Sequence, residues 1–146
     1  MTTTRRKYRY RDNSCGVTRI SLERMKRHLQ KIGVPKIVRG YRFVSTRRHD
    51  SMVHTTDREA VLVIGTKGSA RFEGLCWGYG GEGPRGLRDL LVECGLPNEQ
   101  AEKVAFESHR SDDCGTDWEI RCGSWIGSFK GSNESITLPL SQIKAA

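Results

Sequence analysis

The apolar period changes midway through residues 60–94, and that change constrains the fold more than any other feature of the chain. AVLVI (60–64) is a short apolar run with strand character, and GTKGS (65–69) is a hairpin loop with two glycines. Residues 71–75 (RFEGL) are the strand expected to pair back on it. After CWGYGGEGP (76–84), Leu87, Leu90, Leu91 and Cys94 recur at helical spacing. Pro84 suits the first turn of a helix, where its missing N–H is not needed. Gly95 and Pro97 end that helix, and Asn98 can cap another, running to about residue 108 with Ala101, Val104 and Ala105 inward. Strands on one side of a glycine loop and helices on the other predict an α+β chain.

The flanks extend this reading. Leu22, Met25, Leu29 and Ile32 share a helical face, so the spacing predicts a helix over 22–32 with Ser21 as its cap and Gly33 with Pro35 as its stop. YRFVS (41–45) alternates as a strand, whereas TRRHDSMVHTTDRE (46–59) reads as a polar loop. Residues 109–117 read as another loop. Trp118, Ile120 and Cys122 alternate with Glu119 and Arg121 in a half-buried strand. Residues 125–129 and 136–140 supply two more strands, the last at an edge because of Pro139. The expected architecture is an antiparallel sheet of five or six strands with about three helices, forming one domain over 17–146 behind a basic flexible arm over 1–16.

Charge is unevenly distributed. Residues 1–50 hold 15 Lys or Arg against 3 Asp or Glu, while residues 51–146 hold 10 against 14. Such an asymmetry points to a face that meets a polyanion, although a basic segment folded against an acidic remainder has the same composition. The arm interleaves Arg5, Arg6, Lys7 and Arg9 with Tyr8 and Tyr10, a mixture suited to phosphates and unpaired bases. Arg24, Arg27 and Lys31 lie on the expected helix, and Arg42, Arg47 and Arg48 follow it; together these residues are the candidate basic face. The N-terminus lacks the apolar segment of a signal peptide, and no apolar run is long enough to span a bilayer. The five cysteines are then expected as reduced thiols in a cytoplasmic protein, in a host cytoplasm if the chain is phage-encoded.

Glycines 80, 81 and 83 before a helix could cradle an anion, with Arg85 and Arg88 adding charge and Trp77 or Tyr79 stacking on a base. Against this, Pro84 removes a donor, Glu82 adds a negative charge, and the spacing matches neither G-x-G-x-x-G nor a P-loop. A structural turn under Trp77 and Tyr79 fits the same residues. The pair of helices joined by Gly95-Leu96-Pro97 has the outline of a helix-turn-helix, but Glu99, Glu102 and Glu107 on its second helix oppose entry into a DNA groove. His109, Cys114 and Cys122 lack the C-x-x-C pair that anchors a zinc site, so no metal or cofactor is expected. Asp112, Asp113 and Glu119 are candidate acids for a metal-dependent nuclease, but arginine at 121 is a poor substitute for the lysine such sites use.

Trp77, Gly78, Tyr79, Gly80, Gly81, Gly83 and Pro84 carry a resemblance. This WGYGGxGP segment before a Leu-rich helix is similar to segments in small uncharacterised phage and prophage proteins, over about residues 60–95. The resemblance implies a strand, this loop and a helix opening at the proline, and a phage-type origin, with no activity to carry over. The expected function is that of a non-enzymatic accessory protein, in the manner of an anti-CRISPR. It would bind and inhibit a host defence or regulatory nucleoprotein complex through its basic face, with nucleic acid or a nucleic-acid-binding complex as partner. A sponge holding a nucleotide second messenger in the glycine loop and the nuclease are the alternatives.

Overall fold

A computed structural model describes residues 8–110, 113–121, 126–129 and 135–137. Its longest elements are β2 (Pro35–His49) and β3 (Met52–Gly65), an antiparallel hairpin in register from Ile37↔Ile64 to His49↔Met52. Asp50 and Ser51 join them with φ of 49° and 65°, the left-handed pair that a two-residue hairpin turn needs. The polar run 46–59, expected as a loop, is therefore the outer half of this hairpin. Both its faces meet solvent, so strand pairing imposes no apolar alternation that the sequence could display.

β4 (Gly68–Phe72) pairs antiparallel with β3, and β1 (Tyr8–Arg11) runs parallel to β4 at the edge. On the other side β5 (Gly115–Arg121) pairs with β2. β6 (Ile126–Phe129) and β7 (Ser135–Thr137) lengthen the sheet, giving the order β1-β4-β3-β2-β5-β6-β7. With α1 (Thr18–Lys31), α2 (Glu82–Glu93) and α3 (Asn98–Glu107), this is the expected α+β class with a mostly antiparallel sheet.

The helices cover one side of the sheet. Val38, Val61, Val63, Ala70, Phe72, Trp118 and Ile120 point from that side into a core shared with Met25, Leu29, Leu87, Leu90, Leu91 and Val104. Gly40 lies beneath the Trp118 indole, where a Cβ would collide with the ring. The turn between α2 and α3 closes as read, with Gly95 at φ 100° and Leu90, Cys94, Leu96, Ala101 and Val104 all buried, but Asn98 does not cap α3: it is the first residue of that helix and its side chain donates to Glu102.

Two expectations at the N-terminus are corrected. Residues 8–11 of the supposed arm are the edge strand β1, held by Tyr8 N–H to Lys67 O and Asp12 N–H to Arg71 O; residues 1–7 lie outside the described part. Helix α1 starts at Thr18 rather than 22, and Ser21 is buried inside it instead of capping it. Both errors have one cause. Asp12, fully buried, accepts from the backbone N–H of Ser14 and of Glu73 and from the Ser21 hydroxyl. Ser21 Oγ in turn accepts from Gly74 N–H, and Thr18 Oγ1 donates to Gly74 O. This knot ties β1, α1 and the segment after β4 together, the side chains of Asp12, Thr18 and Ser21 bonding backbone groups 53 to 61 residues away in sequence. Removing a carboxylate that satisfies two buried amides costs about 2–4 kcal/mol. We expect Asp12→Ala to lower stability by that amount in urea titration; a loss below about 1 kcal/mol would show the knot to be dispensable.

His28 stacks on Tyr10 and shares a hydrogen bond between its Nδ1 and Tyr8 Oη. Burial, then the charges of Arg27, Lys31 and Arg24, hold its pKa below the usual 6.5. The folded chain thus keeps His28 neutral while the unfolded chain takes up a proton. Stability is complete above pH 6.5 and declines as pH falls below it. The midpoint of thermal unfolding should drop between pH 7 and 5.5, and His28→Gln should flatten that drop; an identical slope in the variant would contradict the assignment.

Candidate nucleic-acid interface

The side of the sheet away from the core carries arginine and aromatic side chains in rows set by the strand register. One row runs Arg9, Ser69, Ile64, Ile37, Arg121 from β1 to β5. The next runs Arg11, Arg71, Leu62, Arg39, Glu119. Beyond them Tyr41 pairs with Ala60, Phe43 with Arg58, and Arg47 with His54. Alternation keeps all of these opposite Val38 and Val61. Seven arginines share this face with Glu119 and with Glu73, which follows β4 and bridges Arg11 and Arg71.

The rings are half-buried rather than sealed. Tyr41 and Phe43 lie 5.8 Å apart, and the Arg71 guanidinium sits over both, 4.2 Å from the Phe43 centroid and 5.7 Å from that of Tyr41. Burial pushes the Tyr41 hydroxyl pKa up, opposed by Arg71. Arg39 and Arg121 both bond Glu119, and these bonds, Arg39 first, hold that carboxylate below its usual range. The result is a layer of planar groups backed by apolar side chains, with cations at its margins. Such a surface can stack unpaired bases and hold phosphates.

The expected basic face is not one surface. Arg5, Arg6 and Lys7 lie outside the described residues. Arg9 and Arg47 belong to the open sheet face, and Arg48 alternates to the opposite side of the hairpin. Arg24, Arg27 and Lys31 are on α1, on the helical side, where Arg24 donates to Asp12 O and Lys31 lies over the Tyr8 ring. Arg42 is a correction of another kind. It points into the core side, 14% exposed, bonded to Asp117 and to Glu59, because its position on β2 alternates with Tyr41 and Phe43. Reading missed Arg39, Arg58, Arg71, Arg121, Tyr41 and Phe43 as a group; the alternation of 37–47 was its one visible sign, since Arg71 and Arg121 come from distant strands.

The glycine loop has structural tasks. Trp77 is fully buried, donates its Nε1–H to Asp117 Oδ2 at 2.9 Å and packs edge-on against Trp118. Gly78 has φ of 90° and donates to Ala105 O. Gly83 faces Cys76 so closely that a Cβ would meet the sulfur, while Gly80 has open space around it and Gly81 is extended. Tyr79 is exposed, with its hydroxyl 3.0 Å from Cys76 Sγ and Arg110 over its ring. Burial pushes the Cys76 thiol pKa up, which opposes a reactive thiolate. Arg85 is exposed on α2, and Arg88 pairs with Asp89. The cleft beside this loop is lined by Asp57, Glu59, Glu73 and Glu82 with Arg58 and Arg110; Glu59 pairs with Arg42 and Arg110, and Glu73 with Arg11 and Arg71.

Of the nuclease candidates, Glu119 is bound by two arginines, Asp113 is exposed, and Asp112 lies outside the described residues, as does Cys122 of the metal reading. Among the described residues no group of three His, Cys, Asp or Glu could hold a metal ion, and no helix is long and apolar enough to cross a membrane. No family model, curated protein or solved structure matches the chain.

Arg42 separates a structural cation from those of the open face. Its loss removes the positive charge between two buried carboxylates, at about 3–5 kcal/mol. Arg42→Ala should lower the thermal midpoint sharply, whereas Arg58→Ala on the other face should leave it within a degree or two; comparable midpoints would contradict this division.

Proposed function

We propose that this protein is a non-enzymatic binder of single-stranded nucleic acid, alone or within a nucleoprotein complex, and that the open sheet face is its contact surface. The observation that carries the reading is the row-by-row placement of Arg9, Arg11, Arg39, Arg58, Arg71 and Arg121 around Tyr41 and Phe43. A duplex presents its bases edge-on inside grooves and gives such a face only phosphates. An unpaired strand offers phosphates and base faces together, which is what arginines around aromatic rings engage. The phage-type resemblance of residues 60–95 adds a context: an accessory protein that occupies the nucleic acid of a host defence or regulatory complex and so inhibits it. The nucleotide-sponge alternative receives less support, because Trp77, Gly78 and Gly83 are committed to packing.

The test is fluorescence polarisation with labelled dT12 and U12 from 50 to 200 mM salt. We expect saturable binding that weakens with salt. The double substitution Arg9→Glu, Arg58→Glu should weaken it at least about ten-fold and reduce the slope of log K against log salt by about 1.4, two phosphate contacts on a single strand. Phe43→Ala should cost about 1–3 kcal/mol of binding. Absence of binding at 50 mM salt in the folded protein would overturn the proposal. So would loss of binding on reversing Arg24, Arg27 and Lys31 with the sheet-face variants unaffected, because that helix lies on the other side.

A further inference from the structure

β3 is covered by β4 only from Val61 to Ile64. At Glu73 and Gly74 the chain is drawn off the ladder by Asp12, Ser21 and Thr18. Among the described residues no backbone group then bonds β3 on that side between Met52 and Ala60. Alternation from the two-residue turn directs the N–H and C=O of Val53, Thr55, Asp57 and Glu59 away from β2. The free edge opens on the cleft described above, about 520 Å³ in volume. Thr56, Asp57, Arg58 and Glu59 all line it. Four consecutive strand residues, whose side chains alternate between two faces, can share one cleft only if the cleft meets the strand edge-on.

We propose that this slot accepts an extended basic peptide segment of a partner protein as an added antiparallel strand on β3. Main-chain bonds to a free edge supply affinity, and side chains alternating along the added strand supply selectivity. The charge of the slot selects the occupant. Asp57, Glu59, Glu73 and Glu82 line it; Glu73 is held by Arg11 and Arg71 and Glu59 by Arg42 and Arg110, and the Arg58 side chain alternates to the open sheet face, so Asp57 and Glu82 set the charge left for an occupant. Glu59 Oε1 takes Arg42 and Arg110, while its Oε2 is buried without a partner. A lysine or arginine directly opposite Asp57 or Glu59 would lie on the same side of the sheet as those carboxylates. The outer edge of β2, by contrast, is guarded by Arg47 and Arg48, which repel a second strand of like charge. The slot borders the proposed nucleic-acid surface, with Arg58 and Glu73 at the boundary, but it uses the backbone edge of β3 and the inference does not depend on that reading.

The probe is a fluorescein-labelled KTKTKTK heptapeptide, added to the full chain and followed by polarisation. We expect saturable binding, with no binding of ETETETE. In an added antiparallel strand, lysines opposite Asp57 and Glu59 point their backbone N–H groups at β3, so N-methylation of the lysine backbone nitrogens should weaken binding at least about ten-fold, while methylation of the threonine backbone nitrogens should spare it. Thr55→Pro removes one outward donor without touching the β2 ladder and should weaken binding. Asp57→Asn, which alters only charge, should do so by a few-fold and more at low salt. Equal binding of ETETETE or of the lysine-methylated peptide would overturn the proposal, as would indifference to both substitutions. Concentration-dependent self-association that Thr55→Pro abolishes would also overturn it, by assigning the edge to a second copy of the chain.

Discussion

One buried carboxylate organises the molecule. Asp12 gathers two backbone amides and a hydroxyl from three separate parts of the chain, and each is a group that would otherwise lose its water without replacement. Because Asp12 is fixed, β1 is fixed beside β4 and α1 begins four residues before its first strongly apolar turn. Because Glu73 and Gly74 answer to Asp12 and Ser21, β4 stops at Phe72 and the chain turns toward Trp77. The same interaction therefore docks the edge strand, aims the glycine loop and bares the outer edge of β3.

The sheet divides the charge of the chain. On the helical side, Arg42 sits between Asp117 and Glu59, and Trp77 shares Asp117 with it, so this arginine is spent on holding the core together. On the open side, Glu73 and Glu119 each hold two arginines in place without neutralising the face. Ordered guanidiniums of this kind lose less freedom on meeting a ligand than solvated ones. The low pKa of Glu119 follows from the same bonds, which keep the carboxylate charged and its two arginines oriented through the neutral range. The cleft lies at the strand edge beside that face, and Arg58 and Glu73 line its boundary.

Much of the fold was legible from 71–107, because apolar spacing, Pro84, Gly95 and Pro97 act locally. A helix needs neighbours only three and four residues away, and a hairpin loop needs its own glycines. Trp77 could be read as an aromatic beside a turn but not as the partner of Asp117, forty residues on. The outer half of the β2–β3 hairpin was illegible as well, since a ribbon wet on both faces has no pattern to show. The candidate basic face failed for a related reason: arginines close in sequence were grouped, although residues 41 and 42 of one strand point to opposite sides of the sheet.

The sequence by itself determined the class of fold, the positions of α2 and α3, the glycine turn between strand and helix, and the excess of cations in the first third. Those properties follow from local spacing and composition. The tertiary structure decided which cations work together, what Asp12 binds, where β4 ends and which strand edge stays free. Each of these depends on register between strands distant in sequence, and register is set by the sum of pairings across the whole sheet rather than by any one segment.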